Sequence, residues 1–147
     1  MIKTSLLLCI LFTSICSLSQ EWQTNIEAAK KIASQEDKKI VLVFQGSDWC
    51  APCMKLEKEI WSQEEFKIFA KENYVMLQAD FPRRKANRLS KEQQEKNGAL
   101  AEKYNQQGFF PHVVVLDKTG KVLGKTGYKK LSPKNYIKIL ESFKAKS

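Results

Sequence analysis

The sequence predicts an α/β domain with a mixed central sheet of about four strands flanked by helices. Three observations carry this expectation. Residues 40–44 form a continuous apolar run of strand length, followed by a turn at Gln45-Gly46-Ser47-Asp48 and a charged amphipathic segment. Residues 74–80 are a second strand-like run, so strand, helix and strand make a parallel unit whose crossover is expected to be right-handed. Residues 113–116 and 122–127 flank the turn Asp117-Lys118-Thr119-Gly120 and read as a hairpin, which adds antiparallel strands.

Taken in order, the chain begins with a segment unlike the rest. Lys3, an apolar run from Ser5 to Ile15, and small residues at Ser17 and Ser19 predict a secretory signal peptide over residues 1–19, too short for a comfortable membrane span. The alternatives are an uncleaved anchor or a lipid on Cys16, although Ile15 stands where a lipoprotein signal wants a small residue. One domain is then expected over residues 21–147. Residues 22–36 carry Ile26, Ala29, Ile32 and Ala33 at helical spacing, and Asp37-Lys38-Lys39 ends that helix. The helix from Cys53 runs through Leu56 and Ile60 to Trp61. Ser62 with Glu65 fits a capping box, so the helix is expected to split there and restart. Residues 92–106 read as a helix weakened by Gly98. Ser132 caps a last helix with Pro133 at its first position and Tyr136, Ile137, Leu140 and Phe143 on its buried side.

Charge and cysteine count narrow the function. The 147 residues carry a net charge of +9 and four cysteines. Signal cleavage removes Lys3, Cys9 and Cys16 and leaves Cys50 and Cys53, too few for a structural disulfide framework. Basicity can serve nucleic acid, anionic membranes or acidic partners. For an exported chain the expectation is a solvated lysine-rich surface, with no nucleic-acid binding and no membrane attachment after cleavage.

The two remaining thiols stand in Trp49-Cys50-Ala51-Pro52-Cys53, where a buried strand delivers the chain to a helix start. Unpaired N–H groups and the helix dipole there favour a thiolate, so Cys50 is expected to be the exposed, low-pKa thiol and Cys53 the inert one. Pro52 lies in the first turn, where its missing N–H costs little. Cys53, on the same helical face, can close a disulfide with Cys50. Structural zinc wants four ligands, and the mature chain offers two cysteines and His112. Covalent haem wants CxxCH, and Met54 stands in the histidine's place. No metal or other cofactor is expected.

This strand, loop and helix, with Phe110-Pro111 opening a second apolar strand, resemble the thioredoxin superfamily over most of the chain. Within it the sequence looks most like small exported bacterial thioredoxin-like proteins and the C-terminal domain of the transmembrane reductase DsbD, whose sites often read as a GSDWC-type loop. The resemblance implies a thioredoxin-like fold and a periplasmic or secreted thiol-disulfide oxidoreductase with a Cys50–Cys53 disulfide. Its partners would be client proteins with thiols or disulfides, and a membrane thiol reductase or oxidase. The alternative is a Cu(I)-binding or client-binding module without turnover.

The resemblance also implies that Pro111 is a cis-proline facing the disulfide and presenting backbone to an extended substrate. Trp49 would cover the disulfide edge, and Asp48 reads as a loop cap rather than an acid catalyst. Phe109 and Phe110 are either core or an apolar rim for a client. His112 points away from the site, tunes Cys50 together with Pro52, or joins both thiols around Cu(I). Residues 82–91, an extra loop relative to the smallest thioredoxins, are either a solvated connection or a basic docking surface. One departure is expected to matter. Thioredoxins generally carry a buried carboxylate six residues before the first cysteine, where this chain has Phe44. Resolution by Cys53 is therefore expected to be slow, and Phe44→Asp to speed it.

Overall fold

Strand β2 (Lys39–Gln45) sits at the centre of the sheet, and residues 40–44 have no exposed surface. The structure, a computed structural model, describes residues 20–144. The expected signal over residues 1–19, with Cys9 and Cys16, lies outside them. Strand β2 pairs in parallel with β3 (Tyr74–Asp80), Ile40 opposite Val75. On its other side it runs antiparallel to β4 (His112–Leu116), Phe44 opposite His112. Strand β5 (Val122–Thr126) adds antiparallel to β4 across a turn in which Asp117 Oδ1 accepts the N–H groups of Thr119 and Lys121 and Gly120 takes a φ of 91°.

The sheet has five strands rather than four, in the order β1-β3-β2-β4-β5. The added strand is β1 (Trp22–Gln23), which pairs in parallel with β3 and corrects the helix expected over residues 22–36. The helix, α1 (Ile26–Glu36), begins only after Asn25. That residue is extended and its side-chain oxygen accepts the N–H groups of Glu27 and Ala28 at 2.9 and 3.1 Å. Upstream of this cap, Trp22 packs edge-on against Trp61 with ring centroids 6.1 Å apart.

Strict alternation along β2 sorts the core into two layers. Val41 and Val43 face the side occupied by Leu56, Ile60, Phe66, Tyr136 and Leu140. Ile40, Leu42 and Phe44 face Ala29, Ala33, Leu100 and Tyr104. Helices α2 (Ala51–Leu56), α3 (Glu64–Asn73) and α5 (Pro133–Ser142) therefore cover one face, and α1 and α4 (Lys91–Tyr104) the other.

The expected split of the active-site helix is real, and its cause is a π-helical turn at Glu57–Trp61. The wider turn brings Trp61 round to the side of Leu56, five residues earlier, which 3.6-residue spacing would set well away from it, and Leu56, Ile60 and Trp61 are all buried. The capping box at Ser62 is corrected. The Ser62 N–H still bonds back to the Glu57 carbonyl at 2.9 Å and its hydroxyl donates to Glu57 Oε1, so Ser62 closes the π turn and Gln63 becomes the uncapped start of α3. Ser132 does cap α5, accepting from the Asn135 N–H at 3.3 Å. Phe143 follows just past the end of α5 and lays its ring where any side chain at Gly124 would stand.

Trp61 joins these parts, with ring centroids 4.7 Å from Phe66 and 5.5 Å from Tyr136. Replacing it by alanine should cost about 3–5 kcal/mol. Urea unfolding should show this as a lower midpoint at an unchanged slope.

Candidate active site

At the end of β2 the chain turns tightly, the Gly46 carbonyl accepting the N–H groups of Trp49 and Cys50 at 3.2 and 2.9 Å. A glycine is required there because a Cβ at position 46 would lie 2.2 Å from the Trp49 ring. Ser47 is tied to β3, its N–H and hydroxyl donating to the Asp80 carboxylate at 2.9 and 2.6 Å. Asp48 is a loop cap as expected, but of the loop after β3 rather than its own: its carboxylate accepts the N–H groups of Arg83 and Arg84, each at 2.9 Å, and the Asn87 amide at 3.0 Å. The Arg83 N–H, then the Asn87 amide, hold that carboxyl below the usual carboxylate range.

These anchors aim Trp49. Its indole N–H donates to the Phe81 carbonyl at 2.7 Å, its ring meets Phe110 edge-on at 5.3 Å, and the Arg83 guanidinium carbon lies 3.7 Å from the ring centroid. Cys50 follows as the extended N-cap of α2, with Pro52 in the first turn. The Cys50 sulfur accepts the Cys53 N–H at 3.3 Å and is bonded to the Cys53 sulfur. The expected contrast in exposure is absent in this disulfide state. Cys50 and Cys53 are 4% and 5% exposed. What separates the two is the helix start, whose N–H is directed at Cys50.

The Phe110-Pro111 bond is cis. Pro111 is buried and directly precedes β4 beside the C-terminal end of β2, so it shares the sheet end that carries Cys50. Asn105 holds the approach to it, donating to the Phe109 carbonyl at 2.9 Å and accepting the Phe109 N–H at 3.0 Å. Phe110 is half-buried within the aromatic wall beside Trp49 and Phe81, whereas Phe109 is 54% exposed.

The alternation of the strands decides where His112 and Phe44 point, and it removes the expectation built on Phe44. His112 pairs with Phe44 across β2 and β4, their rings 6.1 Å apart, and therefore lies on the face covered by α1 and α4. Burial, then Lys125, pushes its pKa down, and it stands on the sheet face opposite α2. This is the placement expected of a strand histidine that points away from the site, the first of its three readings. Among the described residues no three His, Cys, Asp or Glu side chains gather for a metal ion. Phe44 shares that remote face, so a carboxylate there would not meet Cys53. Cys53 opens instead onto a cleft of about 700 Å³ lined also by Gln45, Gln78 and Met54, with the Gln45 amide donating to Gln78 Oε1 at 3.3 Å. The slow resolution inferred from Phe44 does not follow.

Residues 26–144 match the family model described as a thioredoxin-like domain. The chain belongs to the thioredoxin-like family. It is 34% identical over 128 residues to the disulfide bond reductase DsbH of Chlamydia pneumoniae, across 87% of this chain and 75% of that protein. A solved structure of a DsbH oxidoreductase superposes with a TM-score of 0.77 at 33% identity, covering 84% of this chain and 83% of its own. The oxidised C-terminal domain of Neisseria meningitidis DsbD shares the fold, with a TM-score of 0.53 at 22% identity over 80% of this chain and 91% of that one. This thioredoxin-like domain, with its paired cysteines, is a thiol-disulfide oxidoreductase.

Phe44→Asp should leave the rate of mixed-disulfide resolution unchanged in rapid-quench trapping. The charge would enter the layer under α1 and α4, lowering stability by about 3–5 kcal/mol.

Proposed function

We propose that the protein works outside the cytoplasm, reducing client disulfides with Cys50 as attacking thiol and Cys53 as resolving thiol. The observation that carries this is the Cys50 sulfur at the start of α2, accepting the Cys53 N–H and already bonded to Cys53. In the reduced protein the same N–H and the helix dipole favour the Cys50 thiolate. That thiolate attacks one sulfur of a client disulfide, forming a mixed disulfide and releasing the client's other sulfur as a thiolate that takes up a proton. Cys53 then loses its proton through the cleft beside Gln45 and Gln78 and attacks the Cys50 sulfur. The second client thiolate leaves, so the client gains two electrons and the pair becomes the disulfide.

A client segment would lie extended against Trp49 and Phe110, with the backbone at Pro111 as its neighbour. A thiol donor outside the domain, such as a membrane thiol reductase, must return two electrons to the pair. Kinship with a protein named a disulfide bond reductase supports net reduction. Among the described residues no helix is long and apolar enough to cross a membrane, and the sequence of residues 1–19 supports export.

In a Cys53→Ser variant the reaction should stop at the mixed disulfide, so that clients are trapped through Cys50, while the wild type reduces insulin with turnover. Preferential alkylation of Cys53 in the reduced wild type would overturn the assignment, and stoichiometric Cu(I) uptake without insulin turnover would favour a carrier. Export is tested separately by mass spectrometry of the protein from cells. A chain beginning at or near Gln20 in the soluble fraction is expected, and full-length protein in membranes would contradict it.

A further inference from the structure

The loop at residues 82–91 carries Arg83, Arg84, Lys85, Arg88 and Lys91 with no acidic residue, and all five are exposed. Among the described residues none of the five forms an ion pair. The nearby carboxylates have other hydrogen-bond partners, although the Arg84 charge also helps to hold the Asp48 carboxyl low. Asp48 is met by main-chain N–H groups and the Asn87 amide, Asp80 by Ser47, and Glu92 by Lys96 at 2.6 Å. The loop is also fixed in place, because Asp48 holds its main chain and Arg83 lies over the Trp49 ring, one residue from Cys50.

Two depressions meet along it. An open groove of about 650 Å³ is lined by Trp49, Phe81, Arg83, Gly108 and Phe110. A second, of about 310 Å³, shares Phe81 and Arg83 and continues to Arg84 and Arg88, with Asp80, whose carboxylate already accepts from Ser47, also in its lining. The track therefore begins as an aromatic wall beside the disulfide and ends among unpaired guanidinium groups.

We propose that this track selects client segments carrying Asp or Glu a few residues from the cysteine that Cys50 attacks. The aromatic wall would take the apolar side of an extended segment, and Arg84 and Arg88 would receive its carboxylates in the planar, two-pronged geometry that guanidinium groups offer. The proposal rests on the exchange reading above and adds the substrate class to it.

The test uses the reduced protein and two peptides of one sequence, each closed by a single disulfide and flanked by either two Glu or two Gln. At low salt the Glu peptide should be reduced about tenfold faster, and the advantage should vanish near 1 M salt, where charges are screened beyond about 3 Å. In Arg84→Gln/Arg88→Gln the ratio of the two rates should fall toward one. Equal rates in the wild type, or a ratio insensitive to both salt and the double substitution, would remove the proposal alone. Reaction with neither peptide, with both thiols shown free by alkylation, would remove the exchange reading and the proposal with it.

Discussion

The burial of β2 on both faces is the constraint on which the rest depends. Its five central residues have no exposed surface, so each must fill a place in one of two apolar layers. A one-residue slip would exchange the layers and leave both badly packed. That fixed register sets where the strand ends, and the turn at Gly46 follows at once and brings Cys50 to the start of α2. The π turn at Glu57–Trp61 belongs to the same arrangement. It rotates Trp61 inward to seal the layer beneath the active-site helix, so that the helix carrying the disulfide is held by packing along its length.

The disulfide's surroundings are built by side chains that hold loops rather than by groups that react. Asp80 fixes Ser47, Asp48 fixes the main chain at Arg83 and Arg84, and Asn105 fixes Phe109. Between these anchors the Trp49 ring is hydrogen-bonded to the Phe81 carbonyl and closed over Gly46. Polar anchors at loops let the aromatic wall stand half-exposed beside the disulfide without collapsing into the core.

The amino-acid sequence by itself determined the strand, thiol pair and helix, because those signals are local. Apolar runs, capping residues and a CxxC spacing at a helix start act within one or two turns of chain, and so 40–44, 74–80, the hairpin and α5 were legible. The place of Cys50 and the pairing with Cys53 were legible for the same reason. Tertiary structure alone decided which sheet face a strand residue joins. Phe44 and His112 lie close to the cysteines in sequence terms or beside the cis-proline, yet pleating turns both to the layer under α1 and α4. It also decided β1, since two residues become a strand only when β3 supplies the edge, and the fate of Ser62, which the π turn captures before it can cap α3. The contact of Arg83 with Trp49 joins residues far apart in the chain, and no local pattern announces it. Pairing of strands and burial of faces are long-range choices, settled by which layer each side chain can fill.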